Sequence, residues 1–175
     1  AEEFTDIPVR GYHIRGLKCK VPTNYFSRYE LGATTEAAYT RNVTTGANTS
    51  SYTDWDGNFR GDIKTFTSAK NPNYNPVWTD NPVWVMMDIL TNDRYGLGKY
   101  LDPNDDFKHI DKYRLFQIAK YCDELVPDGK GGSEPRFSAN VYLKNLAEAQ
   151  KVLKDFYSIF RGMLLWFDGK VTASV

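Results

Sequence analysis

The sequence predicts an α+β fold: a β-rich N-terminal part, then an α-α-β-α-β-β unit that packs three helices on a small sheet. Three observations predict it. Three stretches after residue 80 carry apolar residues at helical spacing. Two stretches, around 17–21 and 136–143, alternate apolar and polar residues at the period of a half-buried strand. The C-terminal run Met163–Phe167, Asp168-Gly169, Lys170–Val175 has the form of a hairpin with a type I′ turn.

Residues 1–8 read as a tail or linker. In Arg10–Pro22, Leu17, Cys19 and Val21 alternate with Lys18 and Lys20, which predicts a strand ended by Pro22. Residues 23–53 are polar and irregular, as in a long loop or a hairpin turning near Gly46. Trp55, Phe59, Ile63 and Phe66 surround an Asp56-Gly57 turn, which predicts short strands over Tyr52–Phe66. Pro72 and Pro76 keep Lys70–Asp80 extended.

Asn81 is placed to cap the first helix, with Pro82 at the first helical position, where a missing N–H leaves nothing unsatisfied. Val83–Leu90 is apolar except for Asp88, so this helix must be buried on most sides. The turn Arg94-Tyr95-Gly96-Leu97-Gly98 follows, and Arg94 is expected to bond the free carbonyls at the helix end. A second helix is expected over about His109–Leu125, stopped by Val126-Pro127-Asp128-Gly129. A strand is expected over Arg136–Leu143. Asn145 and Glu148 form a capping-box pattern for a third helix, with Gly162 as its left-handed C-cap. The facing apolar stripes predict a core of Trp84, Met87, Leu115, Cys122, Val152, Phe156 and Phe160.

The 22 basic and 22 acidic residues balance, which argues against a polyanion-binding module and direct nucleic-acid contact. No run approaches the roughly 20 apolar residues that span a bilayer, so no membrane insertion is expected. The N-terminus has neither the basic nor the apolar region of a signal peptide. Ala1 without an initiator methionine, and a stop at Val175 inside a strand-like run, suggest an excised segment. Cys19 and Cys122 both sit on apolar faces and read as buried thiols, with a disulfide between them as the alternative.

Candidate chemistry is sparse. The loop Pro127–Ser133 has glycines and a lysine, but it runs from helix to strand, opposite to phosphate-binding loops. Asp54, Asp56 and Asp62 lie near Trp55 and Phe59, as a sugar hydrolase would require, yet turns also favour Asp. His13 and His109 belong to no ligand motif, and no nucleophile motif or cofactor signature is present. Aromatics are 15% of the chain. Tyr95, Tyr100, Tyr113, Tyr121, Tyr142 and Tyr157 read either as core or as anchors of a subunit interface.

The run NPVWVMMDILTNDRYGLG (Asn81–Gly98) resembles the tail-tip family of long-tailed phages, the central hub or host-specificity proteins of the phage lambda J type. The resemblance continues through YCDELVPDGKGGSEPRFSANVYL (Tyr121–Leu143) and AEAQKVLKDFYSIFRGMLLWFDGKV (Ala147–Val171). RGLKCKVPTNY (Arg15–Tyr25) and WDGNFRG (Trp55–Gly61) fit the segment before it. It covers most of residues 10–175 and is weakest across Glu30–Thr53.

The resemblance implies a non-enzymatic structural part of a virion, assembled in host cytoplasm, within a homotrimer that closes the tail tube. The implied partners are the distal tail protein, the tape-measure protein and the fibres or receptor-binding parts. Residues 1–22 would be an incoming strand or linker from a preceding hub domain, 23–80 a β-rich and loop region, and 81–175 an α+β hub domain. The matching positions carry structural roles as caps, turns and anchors: Trp55, Asp56, Gly57, Asn81, Pro82, Trp84, Arg94, Tyr95, Gly96, Gly98, Cys122, Pro127, Asp128, Gly129, Gly132, Glu134, Pro135 and Arg136. A carbohydrate-active or cell-wall-degrading tail module, built on Asp54–Asp62, is the alternative. A carbohydrate-binding module with coplanar exposed rings is a third reading.

Overall fold

The computed structural model describes residues 16–23, 25, 55, 57, 59–60, 78–103, 106–142 and 149–175. Within them the fold is mixed α+β. Helix α1 (Pro82–Thr91) leads into a short helix α2 (Gly98–Leu101), then α3 (Lys112–Asp123) and α4 (Ala149–Ile159). Six short strands form three antiparallel ribbons in place of one small sheet. These are β1 (Val21–Pro22) with β2 (Phe59–Arg60), β3 (Leu125–Pro127) with β4 (Ser133–Pro135), and β5 (Met163–Phe167) with β6 (Lys170–Ser174).

Helix α1 lies at the centre because its sequence leaves it no face for water. Val83, Trp84, Met86, Met87 and Leu90 are buried, and α1 packs on both α3 and α4. α3 presents Leu115, Ile118, Ala119 and Cys122 inward. α4 contributes Leu153 and Phe156, followed by Phe160, and β6 adds Val171 and Ala173. Val21 and Tyr25 join the same core from the N-terminal part. Six of the seven residues expected in the core are buried; Val152 is half-buried at its edge. Leu17, placed by alternation on the inner face of the first strand, is exposed.

The capping logic holds where it rests on adjacent residues. Asp111 caps α3, its carboxylate accepting the Arg114 backbone N–H at 3.1 Å. The β5–β6 register runs from Met163↔Ser174 to Phe167↔Lys170. Its turn residues Asp168 and Gly169 have φ of 51° and 71°, as a type I′ turn requires. β6 is tied to the middle of the chain by a parallel bridge, in which Val171 N–H donates to His109 C=O at 2.8 Å and Asp111 N–H to Val171 C=O at 2.9 Å.

Two expectations are corrected. Residues 136–142 form no strand; the strand lies earlier, at β4, and pairs with β3 across the glycine loop. The alternation after Arg136 is real, but its backbone donors serve tertiary contacts. Phe137 N–H donates to Cys122 C=O at 3.0 Å, and Ala139 N–H to Asp80 C=O at 2.7 Å. The left-handed residue after α4 is Arg161 (φ 57°), not Gly162. Gly162 N–H donates back to Tyr157 C=O at 2.8 Å, and a Cβ at Gly162 would strike the Phe160 ring at 2.3 Å. The proposed α4 cap at Asn145 and Glu148, Leu143, the loop 26–53 and residues 61–77 lie outside the described residues.

Phe156 is 2% exposed in the seam between α1 and α4. Phe156→Ala is expected to lower the unfolding free energy by about 3–5 kcal/mol in chemical denaturation. A loss below about 1 kcal/mol, the scale of a surface change, would show that this seam is not the core.

Candidate functional site

The residues singled out by sequence fall at the two ends of α1 and in the hairpin after α3. At its start, the Asn81 side chain works in two directions. Its Oδ1 accepts the Val83 backbone N–H at 3.0 Å, satisfying one of the helix's free donors. Its Nδ2 donates to the Ala119 carbonyl of α3 at 2.8 Å, in a site without solvent. One side chain thus caps α1 and sets its height against α3. Thr79 supports it: Thr79 Oγ1 accepts the Asn81 N–H at 3.1 Å and bonds the Tyr25 hydroxyl at 2.8 Å.

Trp84 is buried one turn on, among Tyr25, Phe59 and Phe116, with ring centroids 6.1–6.4 Å away. The Trp55–Gly57 segment seats on α3 beside it. Trp55 stacks on Phe116 at 4.6 Å and 17°, and meets Phe59 and Tyr113 edge-on. Gly57 has φ of 80°, and its carbonyl accepts the Lys112 ammonium at 2.7 Å. A Cβ there would lie 2.6 Å from the Tyr113 hydroxyl. Asp56, Asp54 and Asp62, the carboxylates of the hydrolase reading, lie outside the described residues, as does His13.

At the far end of α1 the chain folds back onto the helix terminus. Leu97 N–H donates to Ile89 C=O at 2.8 Å, while Gly96 and Gly98 N–H both donate to Asn92 C=O at 3.1 and 3.2 Å. Asn92 Oδ1 accepts the Arg94 backbone N–H at 2.9 Å. Neither glycine has positive φ; both are required by closeness. A Cβ on Gly96 would sit 2.0 Å from the Ile89 carbonyl oxygen, and one on Gly98 2.2 Å from that of Thr91.

Arg94 does not play the part the sequence suggested. It is exposed, and its guanidinium makes no hydrogen bond among the described residues. The Ile89 carbonyl instead accepts the Leu97 amide, and that of Asp88 the Asn92 amide. Tyr95 fills the structural role instead, its hydroxyl donating to the Asp88 carboxylate. Asp88 is 5% exposed on an otherwise apolar helix. Burial raises its pKa, and the Tyr95 bond, Lys20 and Asn92 offset part of that rise. Burial, then Asp88 itself, pushes the Tyr95 hydroxyl up as well. A lone carboxylate in an apolar helix with a tyrosine seven residues later was the signal available for this pair.

The glycine loop has its own anion. Asp128 Oδ1 accepts the backbone N–H groups of Lys130 and Gly132 at 2.7 and 2.9 Å, which hold its carboxyl below the usual range. Those amides therefore face a carboxylate and leave no phosphate cradle there. Gly129 and Gly131 supply φ of 74° and 90°. Past Pro127, Glu134 is exposed and Pro135 half-buried. Arg136 pairs with Glu124 at 2.5 Å and lies over the Tyr121 ring at 4.6 Å, fastening the hairpin to the end of α3. One trough of about 340 Å³ opens beside Tyr121 and Arg136, and another of about 440 Å³ lies at the start of α3, beside Asp111 and Phe167.

Cys19 and Cys122 are both free and buried, so the disulfide alternative falls. Burial pushes the Cys19 thiol up to about 12 and raises that of Cys122 too. His109 stacks on Trp166 at 6.4 Å, with its Nδ1 3.2 Å from the Gly169 carbonyl oxygen. Among the described residues, no group of three His, Cys, Asp or Glu side chains could hold a metal, and no helix is long and apolar enough to cross a membrane. Of the six tyrosines, Tyr157 is half-buried and the other five are exposed, Tyr100 and Tyr142 at 81%.

Two measurements test this account. Gly96→Ala is expected to lose about 1–3 kcal/mol, whereas Gly16→Ala, with open space around it, should stay within about 0.5 kcal/mol. Equal effects would mean that the turn does not press on α1. The second concerns Asp88. Its folded pKa lies above the unfolded value, so its contribution is full below the ordinary carboxylate range and is lost as pH rises through the folded value. The melting temperature of Asp88→Asn relative to the unsubstituted chain should therefore rise between about pH 3 and neutrality. A flat or falling difference would contradict a destabilising buried carboxylate.

No protein-family model matches the chain. It is 41% identical over 112 residues to a tip attachment protein J of Escherichia phage SECphi27, covering 64% of this chain and 8% of that protein. It is 32% identical over 166 residues to a tip attachment protein J of Escherichia phage SECphi4, covering 95% of this chain and 11% of that protein. The chain thus spans a small part of the length of these relatives, and the first match alone takes in nearly two thirds of its own residues. With the second running almost from end to end, the chain belongs to the family of phage tip attachment proteins J.

Proposed function

We propose that this chain is a structural segment of a phage tail tip, part of the central hub that closes the tail tube and links it to the parts that recognise the host. The observation that carries this reading is the match across 95% of the chain to a tip attachment protein J. The side chains support it: most of the family-pattern residues within the described part serve as caps, tight turns and ring anchors.

The finer reading places the full polypeptide in a homotrimer. It sits in the virion beside the distal tail protein and the tape-measure protein, with fibres or receptor-binding parts beyond, after assembly in host cytoplasm. Exposed Tyr100, Tyr113 and Tyr142 supply the amphipathic rings that subunit contacts favour. A ring of three would require two different faces of each subunit to meet. The reading is non-enzymatic.

The test is the mass of the full-length polypeptide in solution and its position in imaged tails. A three-fold assembly at the tail tip is expected. A polypeptide that stays monomeric with its distal tail partner and is absent from the tip would overturn the proposal. The isolated chain is also expected to release no reducing ends or peptidoglycan fragments above a buffer control. Release abolished by Asp56→Asn would establish the hydrolase instead.

A further inference from the structure

Among the described residues, the C-terminal ribbon leaves one sheet edge unpaired. β6 is covered along its outer edge by the His109–Asp111 bridge and by Arg114, whose Nε donates to the Ala173 carbonyl at 3.3 Å. β5 has β6 as its one partner among the described residues. In a two-residue hairpin the pair flanking the turn is the hydrogen-bonded one, here Phe167 and Lys170, and the pattern alternates from there. The backbone groups of Leu164 and Trp166 therefore point away from β6, and neither has another backbone partner among the described residues.

The side chains make this edge unusual. β5 reads Met-Leu-Leu-Trp-Phe, with no charge, proline or glycine. Natural edge strands are blunted by lysine, proline, bulges or brevity, because an apolar flat edge pairs with whatever strand it meets. Here Met163 is 60% exposed, Leu165 41%, Trp166 62% and Phe167 74%. Met163, Leu165 and Phe167 share the face turned from the core, since Val171 and Ala173, opposite Trp166 and Leu164, face inward. Backbone donors and apolar side chains on one strand call for an extended strand, not a helix.

We infer that β5 is a docking edge for an extended, apolar-alternating strand from elsewhere in the same long polypeptide. This rests on the proposed reading of the chain as a segment of a tip attachment protein, whose relatives are about eight to nine times its length. A strand tethered in the same chain meets the edge as an intramolecular event at a fixed effective concentration, whereas a second copy must first associate. The docked strand pairs with Leu164 and Trp166 and lays alternate apolar residues beside Met163, Leu165 and Phe167. The ribbon becomes a sheet of three strands.

Residue-resolved hydrogen exchange tests this on the 175-residue chain and on the full-length polypeptide that carries it. The Leu164 and Trp166 amides are expected to exchange freely in the chain and at least about ten-fold more slowly in the full polypeptide. Trp166→Pro removes the outward donor together with the ring that stacks on His109, but none of the β5–β6 hydrogen bonds, so it should leave the ribbon formed and abolish the protection of Leu164. Phe167→Lys, at an exposed position, should weaken that protection without unfolding the chain. Free exchange in both proteins would overturn the inference, and protection that grows with concentration in the short chain would replace it with self-pairing. Exchange is read on the soluble polypeptide, so this result is independent of whether the protein is found at a tail tip.

Discussion

The hydrogen bond from Asn81 Nδ2 to the Ala119 carbonyl fixes the frame on which everything else is placed. Helix α1 is apolar on nearly every side, so burial alone would let it slide or turn among its neighbours with little change in buried area. A directional bond in a dry site removes that freedom, because its geometry is satisfied at one height and rotation of the helix. The same side chain also caps the helix, so the bond that orients α1 against α3 cannot be kept without starting α1 at that residue. Trp84, the Tyr95–Asp88 contact and the fold-back of the turn at 96–98 then follow from the rotation of one helix.

Charge is used sparingly and locally in this core. Asp88 is tolerated inside because Tyr95 satisfies it and Lys20 lies near. Asp128 satisfies the amides of its own loop, and Asp111 those of its own helix. Arg136 with Glu124 and Tyr121 ties a hairpin to a helix end at the surface. In each case the charged group completes a backbone group or a neighbouring side chain.

Much of this was legible in the sequence wherever the determining contacts were local. Asn81 with Pro82 gave the start of α1, and Asp168-Gly169 gave the last hairpin, because caps and two-residue turns depend on immediate neighbours. The apolar stripes gave six core residues correctly. Legibility failed where a distant partner decided. The segment after Arg136 alternates like a strand, yet its amides are claimed by Cys122 and Asp80. Arg94 had the right charge for a helix end, but it is exposed, and the turn is held by the Leu97 amide on the Ile89 carbonyl and by Tyr95 on Asp88. Gly96 and Gly98 were visible as turn residues, while the reason they are glycine, the approach of a helix terminus, exists only in three dimensions. The family resemblance reached the functional class where no constellation of side chains did.

The parallel bridge between residues 109–111 and Val171 gives the molecule a mechanical grain. Its two bonds run either side of one residue, from the His109 carbonyl and to the Asp111 amide, with Arg114 adding a third to Ala173. Tension along β6 loads these bonds together, in shear, and passes directly into the first turn of α3. The antiparallel bonds between β5 and β6, met from the turn at Asp168-Gly169, open one after another like a zip. The ribbon therefore resists a pull along its length and yields to a peel from its tip, so that α3 remains anchored while the hairpin's free edge is still able to move.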